Sequence, residues 1–235
     1  VGLFGQPCDM DKIKDLAKTN DLWILDDAAQ SFGSTYKNKL SGNLSEITAT
    51  SFFPAKPLGC YGDGGALFTN EEHFYKIAYS SHLHGMGSKK YEYDRIGMNG
   101  RIDTIQAAIL LEKLKIFKSE LKLRNEIAQQ YKNKFLDLKT NIKLPTVIPD
   151  ATSSWAQFTI QLPIKYDRTK FQIKMKETNI PTAIYYPIPL HCQKPYKNFP
   201  ISSDDLENTN YLSKCVVSLP MHPYLSSENI NYISE

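Results

Sequence analysis

All twelve glycines of this 235-residue chain lie between Gly2 and Gly100, and residues 101–235 contain none. The prolines run the other way: Pro7, Pro54 and Pro57 fall in the first stretch, and the other ten of the thirteen lie between Pro145 and Pro223. Glycine lets backbone take positive φ and approach a ligand closely, whereas proline fixes φ and stiffens turns. The first part is therefore expected to bring backbone close to a ligand, and the second to be punctuated by stiff turns. The length suits one large domain or two small ones. A hydrophobic fraction of 41% with 23% charged residues is enough for a core and excludes wholesale disorder. Lys and Arg number 28 against 25 Asp and Glu, and a net charge of +3 is no nucleic-acid footprint.

Cys8, Cys60, Cys192 and Cys215 are scattered without a CxxC pair, so free thiols in a reducing compartment are expected. Apolar runs are short, no transmembrane span or signal peptide is read, and the expected location is the cytoplasm, without a membrane partner. Asn43-Leu44-Ser45 matches a glycosylation sequon and is read as chance. Val1-Gly2-Leu3-Phe4-Gly5 reads as the tail of a strand entering a loop, so a segment is expected to precede it.

The pattern along the chain predicts a helix over Met10–Lys18 capped by Asp9 or Asp11, with Ile13, Leu16 and Ala17 on one face. Strands are expected at Leu22–Leu25, Ile47–Phe53 and Ala66–Thr69, and a helix from Asn70 or Glu71 to His82. Ile102–Leu114 is apolar nearly all round and is expected to be buried on several sides; with Ile116–Leu138 it makes a long helical connector. Beyond Pro145, strands at Trp155–Leu162, Ala183–Tyr186 and Val216–Leu219 and helices at Thr169–Thr178 and Leu206–Lys214 form a small α+β unit. The class is α/β, with a division expected at 1–115 and 116–235.

Several chemistries fail on spacing. Gly62-Asp63-Gly64-Gly65-Ala66-Leu67 misses GxGxxG at Leu67, and Gly59 and Gly64 lack the Lys-Ser/Thr of a P-loop. Neither HExxH nor GxSxG is present, and no metal site is expected. What survives are polar groups just past the carboxyl ends of strands, where α/β sheets bind ligands: Asp27 with Gln30, then Ser51, then Lys56 ahead of a glycine-rich loop. A lysine held there can lose its proton and attack a carbonyl. A carboxylate such as Asp27 can hold a pyridinium nitrogen protonated. A pyridoxal ring needs both. Taken alone, the pattern also fits a solvated loop lysine and a helix-capping aspartate.

Phe4-Gly5-Gln6-Pro7-Cys8-Asp9-Met10, Asp27-Ala28-Ala29-Gln30, Ser51-Phe52-Phe53-Pro54-Ala55-Lys56-Pro57-Leu58-Gly59 and Gly62-Asp63-Gly64-Gly65-Ala66 resemble the DegT/DnrJ/EryC1/StrS family of pyridoxal-phosphate-dependent sugar aminotransferases. The likeness continues through His84-Gly85, Asn99-Gly100-Arg101-Ile102-Asp103, Gln106-Ala107-Ala108, Tyr186-Pro187-Ile188-Pro189-Leu190-His191 and Ser218-Leu219-Pro220-Met221-His222-Pro223. The resemblance implies the latter part of a fold type I large domain, a mostly parallel sheet with helices on both faces, followed by a smaller α+β domain. It implies pyridoxal 5′-phosphate as cofactor and Lys56 as its Schiff-base lysine. Asp27 matches the acid at the ring nitrogen, Gln30 the residue beside the 3-hydroxyl, Ser51 a hydroxyl on the phosphate, and Asn99 an asparagine reaching the phosphate of a homodimer partner. Tyr186 and His191 are candidates for substrate contact. The implied reaction moves an amino group, from glutamate, to a keto group of a nucleotide-linked 6-deoxy sugar. Relatives that dehydrate sugars carry histidine in place of the lysine, which argues against that branch. A different enzyme of the same cofactor (a dehydratase or aldolase) and a truncated, non-catalytic interaction module are the alternatives. Two departures stand out: Tyr185-Tyr186-Pro187 where the family commonly has His-Tyr-Pro, and Thr178-Asn179-Ile180 where it often has Lys-Gly-Ile. A glycine-rich phosphate loop and a ring-stacking residue, both in the family's N-terminal part, are not found.

Overall fold

The computed structural model describes residues 1–138, 140–202 and 206–235. The chain parts into two compact units, residues 1–125 with 147–156, and residues 126–146 with 157–235. The sequence expectation put the division at 115/116, earlier in the same helix, and did not foresee that 147–156 returns to the first unit.

In the first unit, α1 (Met10–Thr19) begins where the Asp9 carboxylate accepts from the Lys12 N–H at 3.4 Å, so Asp9, rather than Asp11, is the cap. Met10 and Ala17 turn inward, while Leu16, expected beside them, is 65% exposed. Strand β1 (Leu25–Asp27) lies later than the apolar stretch Leu22–Leu25 suggested. Leu22 and Trp23 stay outside, and the Ile24 N–H goes to the Glu46 carboxylate at 3.1 Å instead of a ladder. A two-residue turn at Lys37 and Asn38, both at positive φ, joins β2 (Thr35–Tyr36) to β3 (Lys39–Leu40).

Strand β4 (Ile47–Ser51) pairs parallel with β1 and antiparallel with β5 (Gly65–Thr69), so these three strands form a mixed sheet. Strand β4 was expected to continue to Phe53. The strand ends at Ser51, although the Phe52 N–H still bonds the Gly64 carbonyl at 2.8 Å in continuation of the β4–β5 register, and the chain turns just beyond, where the Lys56 N–H bonds the Phe53 carbonyl. Helix α2 (Glu72–His82) follows β5.

Helix α3 (Thr104–Asp137) is one continuous helix that begins in the first unit and ends in the second. Leu110 and Phe117 pack with Leu58 and Cys60, and Phe32 stacks on both Phe68 and Phe117. The all-round burial expected over Ile102–Leu114 does not occur within the chain. Ile105 is 73% exposed, and Leu111 and Leu114 also lie open, because only the stripe holding Leu110 and Phe117 faces this core.

In the second unit, β6 (Phe158–Gln161) pairs antiparallel with β7 (Val216–Leu219). Phe158, Ile160 and Val217 are fully buried, and Tyr131 stacks on Phe158 while its hydroxyl donates to the Pro220 carbonyl at 2.9 Å. Helices α4 (Arg168–Glu177), α5 (Glu207–Cys215) and α6 (Ser227–Ser234) complete it. The strand expected over Ala183–Tyr186 reduces to a single bridge from Ala183 to Ser218. The prolines that follow, Pro187 and Pro189, offer no N–H to extend a ladder.

A candidate cofactor site at the ends of β1 and β4

Parallel pairing sets Asp27 beside Ala49, so Asp27, Ala49 and, two residues on, Ser51 share one face of the sheet at its carboxyl edge. That face is the more open one toward its carboxyl end: Leu67, beside Ala49, is exposed and Ala49 and Ser51 are half-buried, although Ile47 earlier on the same face is buried, whereas Asp26, Thr48 and Thr50 on the other face are all buried. Burial raises the Asp26 carboxyl above its ordinary range. Asp27 is half-buried, and one carboxylate oxygen accepts the Ala29 N–H at 3.0 Å.

Beyond Ser51 the chain forms the loop 52–64. The Ser51 hydroxyl oxygen accepts the Phe53 N–H at 3.2 Å, so its own hydrogen remains available to donate. The Lys56 N–H closes a turn onto the Phe53 carbonyl at 2.8 Å. Cys60, fully buried, pins the loop: its N–H and its thiol both reach the Phe52 carbonyl. Gly59 is required here, since a Cβ would sit 2.6 Å from the Pro54 carbonyl oxygen. Among the described residues no carboxylate or hydrogen-bond acceptor engages the Lys56 amine.

Gln30 is buried, and its Oε1 accepts the Phe4 N–H at 2.7 Å. A backbone donor fixes the amide's orientation, so Nε2 is the end left to donate. The Ser154 hydroxyl donates to the Gln30 carbonyl at 2.6 Å, and the Ser154 N–H to the Gly5 carbonyl at 2.8 Å. Nothing near Gln30 in sequence signals Ser154, which arrives from the returning segment 147–156.

Asn99 is exposed and lies in a strap along the end of α2, bridged to Leu83, with its Oδ1 accepting from the Arg101 Nε at 2.9 Å. Its bonds are to the strap and not to the β1–β4 edge. In the second unit, Tyr186 is exposed and packs edge-on against Tyr185. His191 Nε2 lies 3.1 Å from the Asn210 Oδ1. A groove of about 1220 Å³ runs along β5 and α2, lined by Tyr75, Tyr79, His82 and Arg101 among others, and contains none of the candidate residues. Among the described residues no group of three or more metal-ligating side chains converges, and no helix is long and apolar enough to cross a membrane.

Asp27 and Ser51 thus share the carboxyl edge of the sheet, Gln30 follows three residues after Asp27, and Lys56 stands on the loop that leaves Ser51. Comparison with known proteins gives this set a context. The chain is 42% identical to UDP-2-acetamido-2-deoxy-3-oxo-D-glucuronate aminotransferase of Pseudomonas aeruginosa, over 99% of its own length and 62% of that protein's. It is therefore similar to rather less than two thirds of that relative. The crystal structure of a DegT DnrJ EryC1 StrS aminotransferase from Brucella abortus superposes with a TM-score of 0.93 at 40% identity, covering 99% of this chain and 61% of the other. DesV of S. venezuelae, crystallised with a ketimine intermediate, gives 0.89 at 30% identity, covering 99% and 63%. The model of the DegT/DnrJ/EryC1/StrS aminotransferase family matches residues 1–235, and the chain belongs to that family.

Proposed function

We propose that this chain serves an aminotransferase that moves an amino group from glutamate to a keto group of a nucleotide-linked sugar, with pyridoxal phosphate as cofactor. The observation that carries the reading is the shared open face of Asp27 and Ser51, with Lys56 on the loop that leaves it. The donor set fits the cofactor group by group. The Asp27 carboxylate would hold a proton on the ring nitrogen. Gln30 Nε2 would donate to the ring oxygen, and the Ser51 hydroxyl would donate to the phosphate. The Lys56 amine, which no carboxylate engages among the described residues, would hold the cofactor at its aldehyde carbon and, when released, would carry the proton to and from the carbon that bears the amino group. When bound, pyridoxal phosphate supplies an electron-accepting ring for the carbon that loses that proton.

The relative from Pseudomonas aeruginosa is named for a UDP-linked 3-oxo-glucuronate, so the substrate class proposed is the nucleotide-linked keto sugar without restriction at carbon 6. Tyr186 and His191 are the proposed sugar or nucleotide contacts. The working form in this reading is a homodimer in the cytoplasm, in which Asn99 reaches the partner's phosphate. Its exposure and strap-bound backbone accord with that role, and the free thiols accord with the compartment.

The test is turnover of glutamate with a UDP-linked 3-keto sugar, read as 2-oxoglutarate. The expectation is production that Lys56→Ala abolishes. Normal production in Lys56→Ala, or loss of water from the sugar without 2-oxoglutarate, would contradict the reading.

A further inference from the structure

We infer that Gln106 and Lys113 are positioning residues for Lys56, gripping the far limb of its loop from helix α3. The inference rests on the reading of Lys56 as the cofactor-binding amine. The near limb of the loop closes on itself through the Lys56 N–H to the Phe53 carbonyl. The far limb, Gly59–Gly62, crosses α3. There the Tyr61 N–H donates to Gln106 Oε1 at 2.8 Å, and the Lys113 ammonium donates to the Gly59 carbonyl. The same ammonium lies 5.6 Å from the centroid of the Tyr61 ring.

Gln106 and Lys113 are two helical turns apart, on one face and separated by about 10 Å along the axis. Leu110 falls between them on that face and packs into the cluster that buries Leu58 and Cys60. The stripe is thus apolar in the middle and polar at both ends, and it meets the loop at Gly59, Cys60 and Tyr61 in turn. The fit is close: a Cβ on Gly62 would lie 2.9 Å from Gln106 Nε2. A loop with glycine at 59, 62 and 64 has many alternative backbone conformations. Two side-chain anchors just after Lys56 remove that freedom and fix where the amine stands.

Four variants separate positioning from bulk stability. Gln106→Leu and Lys113→Met remove the acceptor and the donor; Gln106→Glu and Lys113→Arg keep them. The measurements are the rate at which the protein takes up pyridoxal phosphate at Lys56 and the pH midpoint of the yellow colour that results. Misplacement of the amine is expected to slow uptake about tenfold in the Leu and Met variants and to displace the midpoint, with the Glu and Arg variants within about twofold of the parent. Parent-like uptake in the Leu and Met variants, or equal losses in both members of each pair, would overturn the inference. Amide exchange in the cofactor-free protein decides the grip independently. Tyr61 N–H is expected to be protected about tenfold or more in the parent and in Gln106→Glu, but not in Gln106→Leu. An unprotected Tyr61 in the parent would overturn the inference even if the variants do not fold. Absence of any Lys56-linked cofactor in the parent would instead contradict the functional reading, and the exchange result would still decide the grip.

Discussion

Asp26 and Asp27 follow one another along β1 and point to opposite faces of the sheet. Asp27 meets the open face, and Asp26 is buried, 4% exposed, with its carboxyl pushed up by desolvation. A carboxyl whose folded pKa is raised takes up protons more readily in the folded chain than in the unfolded one, so its charge costs stability as pH rises above the unfolded value. Asp26→Asn is therefore expected to raise the melting temperature at pH 7, with the gain vanishing below about pH 3.9. Thermal melts across that range check it, and a pH-independent difference would refute it. Ser154→Ala leaves the buried Gln30 carbonyl without its hydroxyl donor. It is expected to cost about 1–2 kcal/mol in chemical denaturation. Asp27, Gln30, Ser51 and Lys56 could be singled out in the sequence as candidates because residue type and place after a strand mark them, whereas Asn99, Tyr186 and His191 came only from the family resemblance. Ser154 was marked by neither: its bond to Gln30 spans 124 positions and no local pattern announces it.

Among the elements, helices were the most legible, because periodicity and caps such as Asp9 and Asp167 act within a few residues. Strand β7 matched its expected span, Val216–Leu219. Strand β1 did not, because its register is set by pairing with β4 and not by the apolar run Leu22–Leu25. Helix α6 and the hairpin β2–β3 were missed, being short and weakly patterned. Helix α3 binds the loop of Lys56 on one face, and in the second unit Tyr131 anchors its later half to the Pro220 carbonyl. Tyr131→Phe keeps the ring stacked on Phe158 and removes only that bond. A loss of about 1 kcal/mol in unfolding free energy is expected, without change in cofactor uptake.

At the scale of the whole molecule, the glycine–proline split reports two units but not their boundary. The first unit contains all the glycines and also takes back 147–156 with Pro149. A long helix shared between units hides its dividing point, because its periodicity does not change there. The proposed homodimer makes a distinctive prediction. Lys56→Ala and Asn99→Ala proteins, each impaired alone, regain turnover when mixed and allowed to exchange subunits, since one of the hybrid's two sites holds both intact residues. No recovery would place Asn99 at its own chain's site or outside it.

The proposed function stands or falls with the amine of Lys56 as the group that holds the cofactor. Borohydride reduction after addition of pyridoxal phosphate, followed by peptide mass mapping, tests it most directly. A single phosphopyridoxyl group is expected on the peptide containing Lys56, absent from Lys56→Ala. Label on another lysine, or an unlabelled chain, would contradict it.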